Sequence, residues 1–328
     1  MKNLISIILL SVSFAHASFG QTKPWSDPSA HQVSFVDLQP GVKLEVLDWG
    51  GEGETVLFLA GLGNSAHVFD NFTHHFTKDF HVMGLTRRGY GASSQPKYGY
   101  DVATLAKDIL GVLDSLHIEK VSLVGHSIAG DEMSKFASQY PERVAKLVYL
   151  DAAYDRSQFV ELMQKAPYPP QAQPVMSESD SASALQVSAY LSRIFGFGFP
   201  ESEVRATRKF TRHGKLNGMV TPDKIGIKII LGLEPPAYDL IKCPTMAVYA
   251  VFNHINELFP NYETFDQENK QIAHGSMEVL RPYLLDQIDK FQREVDQGQV
   301  VKFSGADHFV FLTHEQEVVK EIKSFLLK

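Results

Sequence analysis

Ser127 lies in a segment whose pattern favours nucleophilic chemistry. Residues 121–124 are apolar and strand-like, and a helical pattern follows the serine. A serine between a buried strand and a helix N-terminus is forced onto a tight turn that exposes its hydroxyl, an arrangement called a nucleophile elbow. The pattern Gly-x-Ser-x-Gly begins at Gly125, but Ala129 takes its last position and Gly130 comes one residue later. The alternative is that Ser127 only caps the helix.

A serine hydroxyl needs a neighbouring base to take its proton, and His308 is the candidate base. The chain has 13 histidines, so position along the chain decides between them. His308 follows the last predicted strand, on a loop that a parallel sheet places at the same carboxyl edge as Ser127. Surface helices or loops are predicted for His74, His75, His213 and His314. The sequence therefore predicts that Ser127 and His308 act as a pair.

The histidine in turn needs a carboxylate that fixes its tautomer and stabilises the imidazolium. Asp151 follows the strand after the elbow and gives the chain order Ser, Asp, His, although it could instead cap a loop or helix. A later strand ends at Asn253, where an acid is also expected, but an amide cannot balance the charge. Glu257 and Asp155 stay open as alternatives. Asp307 adjoins the histidine, and adjacent side chains generally diverge.

Two backbone N–H groups are the candidates for stabilising the oxyanion that forms on an attacked carbonyl. The N–H of Ile128 follows the serine at a helix N-terminus, where the helix dipole adds to its effect. The second N–H is expected from Leu62, in the glycine-containing loop at residues 60–63. Glycines on both sides of Leu62 allow the backbone to approach a substrate.

The N-terminus has the layout of a secretory signal peptide. Lys2 precedes an apolar run to about Phe14, and a small-x-small site ends at Ala17. The apolar run is too short to span a bilayer, so residues 1–20 are excluded from the fold, with cleavage after Ala17 or Gly20. The sequence thus predicts a secreted or periplasmic protein with no stable membrane insertion after cleavage. An uncleaved N-terminal anchor is the alternative.

Composition limits the class of partner. The 328 residues are 44% hydrophobic and 21% charged, which is enough for an ordinary buried core. A formal charge of −7 argues against a nucleic-acid partner and predicts no attraction to anionic membranes. Cys243 is the only cysteine, so no intrachain disulfide can form. Oligomeric state is not indicated by the sequence.

The elements that must position these residues alternate between strands and helices. A hairpin is predicted at 33–38 and 44–49, and the alternation that follows indicates right-handed crossovers and a mostly parallel sheet. The strand pattern breaks after Asp151 and resumes at Thr245. The domain prediction is a core at residues 30–153 and 240–328, with a cap or lid inserted at 154–239. Aromatic residues at 194–200 either cover an apolar pocket or pack the cap onto the core.

Four segments in this order resemble the α/β-hydrolase superfamily: residues 60–63, the Arg-Gly-x-Gly-x-Ser segment at 88–93, the elbow, and residues 305–309. The resemblance covers essentially the whole mature chain. It implies a mostly parallel eight-stranded sheet flanked by helices, a helical cap, no cofactor, and acyl-enzyme chemistry on a small-molecule substrate. Ala60, Ala129 and Asn253 depart from the family pattern, and Asn253 puts the identity of the acid in doubt.

The leading hypothesis is a secreted serine hydrolase that cleaves a carboxylic ester through an acyl-enzyme. A proline-iminopeptidase-like aminopeptidase is the alternative, and it needs cap carboxylates to hold an amino terminus, for which the candidates are Glu201, Glu203 and Glu234. A non-catalytic hydrolase-like binding protein is the alternative that Asn253 motivates.

Cofactor and metal sites are not predicted. Residues 61–66 fit the dinucleotide pattern G-x-G-x-x-A, and Arg87 and Arg88 are the candidates for an NADP phosphate contact, but two predicted strands precede the motif. A dinucleotide-binding fold normally opens with that motif. The nearest histidine cluster, His74 and His75 with His81, does not have a recognised metal-ligand spacing.

Overall fold

The computed structural model of the protein describes residues 25–172, 175–296 and 298–328. The predicted signal peptide, with both of its expected cleavage positions, lies outside the described residues. Within those ranges, none of the helices combines the length and the apolar character that crossing a bilayer requires.

Eight strands form one sheet, and two short strands pair elsewhere. The ten strands are β1 Gln32–Gln39, β2 Val42–Gly50, β3 Thr55–Leu59, β4 His81–Leu85, β5 Val121–His126, β6 Val144–Leu150, β7 Arg208–Phe210, β8 Leu216–Met219, β9 Thr245–Val251 and β10 Gly298–Ser304. The sheet order is β1-β2-β4-β3-β5-β6-β9-β10, while β7 and β8 form a separate antiparallel pair. β2 pairs antiparallel with both β1 and β4, and every other pairing in the sheet is parallel. The predicted fold class, an α/β fold with a mostly parallel eight-stranded sheet, is confirmed.

Helices cover both faces of this sheet. The α-helices of the described residues are α1 Val102–Ser115, α2 Ala129–Gln139, α3 Phe159–Lys165, α4 Ala184–Phe195, α5 Glu201–Thr207, α6 Asp223–Leu231, α7 Ile255–Leu258, α8 Gln267–Glu294, α9 Val310–Thr313 and α10 Glu315–Leu326. Successive strand residues point to opposite faces. Leu57 belongs to the buried cluster that contains Phe136 of α2 and Phe291 of α8, whereas Phe58 belongs to the cluster that contains Ile322 of α10. Each layer therefore buries one face of the sheet, and the strands are apolar on both faces.

The segment between β6 and β9 contains α3 to α6 and the β7–β8 pair, and these elements lie within the predicted insertion at residues 154–239. A second covering segment follows β9. Glu257 and Leu258 of α7 and Leu280 of α8 line the same pocket as Ser127. The site is therefore covered partly by residues that the sequence analysis assigned to the core.

Two predicted helices have different bounds in the structure. The sequence pattern predicts a helix over about residues 201–213, but the helix ends at Thr207, because residues 208–210 form β7 instead. The sequence pattern also predicts a helix near residues 277–295, but that helix begins ten residues earlier, at Gln267, and continues through Pro282. The side chain of Asp266 caps it by accepting from the N–H of Asn269, a start signal that the sequence contains.

Candidate active site

The turn at Ser127 has the strained backbone of a nucleophile elbow. Ser127 has φ 56°, in the left-handed region that non-glycine residues rarely adopt. A Cβ added at Gly125 would lie 2.1 Å from the sulfur of Met133, and one at Gly130 would lie 2.1 Å from the carbonyl oxygen of Ala152. Both glycines are therefore required where α2 packs against β5 and the chain that follows β6. Such strain persists only where the surrounding packing holds it, and it is typical of functional sites.

The structure brings Ser127, His308 and Asp151 together in one hydrogen-bonded chain. The Oγ of Ser127 lies 2.9 Å from Nε2 of His308, and Nδ1 of His308 lies 2.6 Å from Oδ2 of Asp151. The His308 side chain is 44% exposed, whereas that of Asp151 is 8% exposed. A base with one face open to the pocket and its other nitrogen held by a buried carboxylate has the arrangement that serine activation requires.

Asp151 is held in place by its other oxygen. Its Oδ1 accepts from the Tyr154 hydroxyl at 2.5 Å and from the Ala250 N–H at 3.1 Å. Burial and the Asp151 charge raise the pKa of Tyr154 well above its usual value, so the phenol stays protonated and donates. Asp151 also has a positive φ, 47°, which among the described non-glycine residues it shares with Ser127 and His117. The carboxylate is thus oriented before any substrate arrives.

A buried arginine orients the second predicted oxyanion donor. Arg87 donates from Nη2 to the carbonyl of Ala60 at 2.7 Å and from Nη1 to that of Gly61 at 3.3 Å. The C=O and N–H of a trans peptide point in opposite directions, so the Leu62 N–H points away from the arginine. Neither this N–H nor that of Ile128 has an acceptor in the described part of the chain, and both residues line the serine's pocket.

The two arginines considered for a dinucleotide phosphate are not available to one. Arg87 is buried and pairs with Glu132, while Arg88 is buried and pairs with Asp108. The hypothesis of a dinucleotide-binding loop is therefore wrong for these side chains, because both guanidinium groups are held by internal carboxylates. The Arg87 pair instead stabilises the loop that contains Leu62.

His126 is a residue of the site that the sequence analysis missed. Its Nε2–H donates to the carbonyl oxygen of His308 at 3.0 Å, and the two rings lie 4.6 Å apart. Burial, and then the charge on a protonated His308, lower the pKa of His126 well below its usual value, so it stays neutral and donates from Nε2. His126 therefore positions the loop that contains the base. The only feature of the sequence that pointed to His126 was its position directly before Ser127, and that position does not specify a role.

The pocket beside Ser127 has a volume of about 400 Å³ and is mainly apolar. Its walls come from the segment after Asp151, from α6 and from α8, and include Phe159, Leu162, Met163, Ile230, Leu233 and Leu284. Arg156 also lines it, but its charge is neutralised by Asp131 at 2.9 Å. A pocket of this size and lining is typical of a small-molecule site.

The other candidate acids have different partners. The Asn253 side chain bonds Ser304 and Arg281, and Glu257 accepts from the Asn253 N–H at 2.5 Å. Asp155 pairs with Lys290 at 2.6 Å. Asp307 accepts from the N–H of Phe309, as expected for a residue that caps its own loop. Asp151 is therefore the carboxylate that the structure places on His308.

The carboxylates proposed to hold a peptide amino terminus lie elsewhere. Glu201 pairs with Arg205, Glu234 pairs with Lys135, and Glu203 is buried beneath the cap. None of the three lines the pocket of Ser127. These residues therefore do not supply the amine-binding group that the aminopeptidase hypothesis needs.

The cap aromatics pack onto the core. Phe195, Phe197 and Phe199 surround the ring of Phe309, with centroids 5.1–6.1 Å away. They do not line the pocket. Of the two interpretations of this aromatic segment, the structure supports packing of the cap on the loop that carries His308.

Glu203 connects the cap to the loop after Leu62. Its carboxyl accepts from the Asn64 side chain at 2.8 Å, from the Ser65 N–H at 3.2 Å and from the Ser65 hydroxyl at 2.5 Å. Burial raises the pKa of Glu203 from 4.5 to about 7. The folded state then binds more protons than the unfolded state between these pH values, so stability falls as pH rises through the window.

We expect Glu203→Gln to remove this loss of stability, which is on the order of 3 kcal/mol between about pH 4.5 and 7. Glutamine keeps the shape and the neutral charge of the protonated acid. Urea unfolding at pH 5 and pH 7.5 measures the effect as the difference between wild type and variant. Glu201→Gln, on the same helix but in an exposed ion pair, should follow the wild type. An unchanged pH dependence in Glu203→Gln would show that this carboxyl is ionised throughout.

Comparison with known proteins gives one family match. A model of the α/β-hydrolase fold matches residues 54–217. The chain is 24% identical over 308 residues to a non-heme chloroperoxidase of Streptomyces lividans, covering 90% of this chain and 99% of that protein. It is 32% identical over 123 residues to a bifunctional esterase/perhydrolase of Acinetobacter calcoaceticus, covering 37% of this chain and 45% of that protein.

Other similarities are shorter or structural. The chain spans only 30% of the length of uncharacterized mycobacterial proteins to which it is 31% identical over 102 residues. Among solved structures, that of an E-2-(acetamidomethylene)succinate hydrolase superposes with a TM-score of 0.67 at 20% identity, covering 91% of this chain and all of that one. At this identity the likeness concerns the fold alone.

Proposed function

This chain belongs to the α/β-hydrolase family of enzymes, and we propose that it is a serine hydrolase that cleaves carboxylic esters with apolar acyl groups. The hydrogen-bonded chain from Ser127 through His308 to Asp151, beside an apolar pocket, is the observation that carries the proposal. The relative named as an esterase/perhydrolase supports the same class of reaction.

The first half of the proposed reaction acylates the serine. Nε2 of His308 takes the Ser127 proton as Oγ attacks the ester carbonyl carbon, and Asp151 stabilises the imidazolium that forms. The oxyanion accepts from the N–H groups of Leu62 and Ile128, for which the described residues offer no other acceptor. The carbon–oxygen bond of the ester then breaks, and the leaving alkoxide takes the proton from His308.

The second half regenerates the enzyme. Water takes the place of the alcohol and gives a proton to His308 as it attacks the acyl carbonyl. Collapse of the second tetrahedral intermediate breaks the bond to Ser127, whose oxygen recovers the proton. The products are one carboxylic acid and one alcohol, and no group beyond water is consumed.

The pocket supports a preference for uncharged, apolar acyl chains. Its charged lining residues outside the Ser127–His308–Asp151 chain already have partners: Arg156 pairs with Asp131, Glu257 accepts from the Asn253 N–H and Asp307 accepts from the Phe309 N–H. Most of the remaining wall is aliphatic or aromatic. Each methylene that moves from water into such a wall contributes about 0.8 kcal/mol, which is roughly a fourfold gain in kcat/KM. The gain in kcat/KM should stop when the acyl group of the ester is too large for the pocket of about 400 Å³.

A panel of p-nitrophenyl acetate, butyrate, hexanoate and palmitate, with prolyl and alanyl p-nitroanilides, tests the proposal. We expect kcat/KM to rise from acetate to hexanoate and the anilides to be poor substrates. Prolyl anilide hydrolysis faster than that of every ester would favour the aminopeptidase instead. No turnover and no labelling of Ser127 by a phosphonate would favour the binding protein.

Perhydrolysis is a second candidate activity, because two relatives are named as a chloroperoxidase and an esterase/perhydrolase. Hydrogen peroxide in place of water would attack the same acyl-enzyme and release a peracid. Bromination of monochlorodimedone in the presence of acetate, hydrogen peroxide and bromide measures it, because the released peracid oxidises bromide to the brominating species. Bromination that persists in Ser127→Ala would exclude this route.

We also propose that the enzyme acts outside the cytoplasm, which the basic residue, apolar run and small-x-small site of the N-terminal sequence support. The mass of the protein recovered from the exporting cell tests this. A mature chain that begins at Ser18 would indicate cleavage after Ala17, and one that begins at Gln21 would indicate cleavage after Gly20. A chain that still begins at Met1 would argue against a cleaved signal peptide.

A further inference from the structure

Four side chains of metal-ligating type meet in a cleft away from the serine. Asp27 and His31 come from the segment before β1, whereas His67 and Asp70 come from the turn of 3₁₀-helix at Ala66–Phe69 and the residue after it. One ligand atom from each lies within 4.8 Å of the others. The side chains of His31, His67 and Asp70 are 2%, 8% and 1% exposed, and that of Asp27 is 26% exposed. Three of the four side chains are thus buried, and that of Asp27 is partly exposed.

We propose that Asp27, His31, His67 and Asp70 bind one divalent transition-metal ion, with Zn²⁺ as the ion that the donor set fits best. Two imidazole nitrogens with carboxylate oxygens suit zinc and its neighbours, whereas calcium and magnesium prefer all-oxygen sites. Two carboxylates would balance the double charge of the ion.

Three of the six distances between the ligand atoms lie near the value for tetrahedral coordination, and all six are at most 4.8 Å. Ligands about 2.0–2.1 Å from zinc are about 3.3 Å from one another in a tetrahedron. Oδ2 of Asp70 lies 3.2 Å from Nδ1 of His67, and Oδ2 of Asp27 lies 3.7 Å from both Nδ1 of His67 and Nε2 of His31. Small inward shifts would therefore complete the site.

Outer hydrogen bonds already orient the ligands. Nδ1 of His31 lies 2.7 Å from Oδ1 of Asp70, an arrangement that leaves Nε2 as the nitrogen with a free lone pair. A carboxylate that fixes a histidine tautomer in this way is usual behind metal-binding histidines. Trp49 donates to Oδ1 of Asp70 at 3.0 Å and Ser202 donates to Oδ2 at 2.5 Å.

A fifth side chain, that of Glu45, adds a buried negative charge on the far side of His67 from the other ligands. Glu45 is 4% exposed, and its Oε2 has no hydrogen-bond partner among the residues that the structure describes. Glu45 lines a cleft of about 340 Å³ together with Asp27 and His67, and its Oε1 lies 3.6 Å from Nε2 of His67. Burying a carboxylate is unfavourable, and positive charge on His67 or on an ion bound to its other nitrogen offsets part of that cost.

The proposed role of the ion is structural. The cleft shares no lining residue with the pocket of Ser127. An ion held there would join the segment before β1 to the turn after β3, and through Ser202 to α5 of the cap. Because a single cysteine excludes an intrachain disulfide, a metal is the available cross-link for this N-terminal segment.

Zn²⁺ titration of chelator-treated protein, by calorimetry and with the metal content measured by mass spectrometry, tests the proposal. We expect one ion per chain and a melting temperature that rises by roughly 5 °C when free Zn²⁺ is a hundred times its dissociation constant. Asp27→Asn and His67→Gln should weaken binding at least about tenfold. Asp27 is partly exposed, so its variant should fold even if the His67 variant does not.

Two controls make the result specific. His81→Gln removes a partly exposed histidine that pairs with Asp48 at 3.0 Å on the same sheet, and it should bind Zn²⁺ like the wild type. Ca²⁺ should give no saturable binding. The alternative is a network in which protonated histidines pair with these carboxylates. Absence of saturable Zn²⁺ binding by the wild type, or binding that Asp27→Asn leaves unchanged, would overturn the metal site in favour of that network.

Discussion

Ser127→Ala is expected to lower kcat for p-nitrophenyl butyrate by about a million-fold, while KM changes little. The reason is that the hydroxyl 2.9 Å from Nε2 of His308 supplies the nucleophile, and no described side chain can replace it. The residual rate should reflect oxyanion stabilisation and binding alone, which retain on the order of a thousandfold advantage over water. The loss of kcat is measured with the purified variant in stopped assays. Treatment with a phosphonate beforehand inhibits contaminating esterases.

The controls for Ser127→Ala separate chemistry from folding. Ser138→Ala changes a serine on α2 that bonds the Lys135 carbonyl of the same helix, so it should keep wild-type activity. His308→Ala combined with Ser127→Ala should be no worse than Ser127→Ala, because the two groups act as a unit. A phosphonate should label the wild type at Ser127 and fail to label the variant. Loss of less than about tenfold in Ser127→Ala would refute the acyl-enzyme.

Asp151→Asn is expected to lower kcat by about ten-thousandfold. Tyr154 and the Ala250 N–H both donate to Oδ1, so the amide oxygen of the variant should occupy that position. The amide NH₂ would then face Nδ1 of His308 and donate to it. The imidazole would hold its proton on Nε2, the nitrogen that must accept the proton of Ser127. The kcat of the purified variant across pH 6–10 measures the effect.

Matched controls test whether Asp151 is the acid. Asp155→Asn is the same chemical change at a competing carboxylate, one that pairs with Lys290 outside the pocket. Asn253→Ala removes the amide at the other position where the fold often has its acid. Both should keep activity within a few-fold of the wild type. An Asp155→Asn or Asn253→Ala variant that loses more activity than Asp151→Asn would move the acid to that position.

Several features of the fold follow from local sequence. Unbroken apolar strands such as residues 55–59, together with the alternation of strands and helices, predicted a mostly parallel sheet, and the structure confirms it. The order of four short segments also predicted the α/β-hydrolase family, which the family match confirms. Such features are local because strand and helix periods, turn residues and glycine sterics depend on near neighbours in the chain.

The contacts that make the site depend on distant residues. His308 and Asp151 are 157 residues apart, and which carboxylate reaches the histidine depends on the ends of β6 and β9 lying side by side. From the sequence alone, Asp151 was favoured because the amide of Asn253 cannot balance the charge of the imidazolium, but Glu257 and Asp155 stayed open as alternatives. The role of Arg87 at the oxyanion loop was not predicted for the same reason, because its contact with the Ala60 carbonyl joins residues distant in sequence.

The sequence by itself determined the fold class, the family, and the placement of a serine on a strand-to-helix turn, because short-range sterics and periodicity encode them. Only the tertiary structure decided which acid lies on His308, that His126 holds the loop of that histidine, and that Asp27 and His31 meet His67 and Asp70. Those pairings arise when separate segments pack together, and packing geometry is not a property of any one segment.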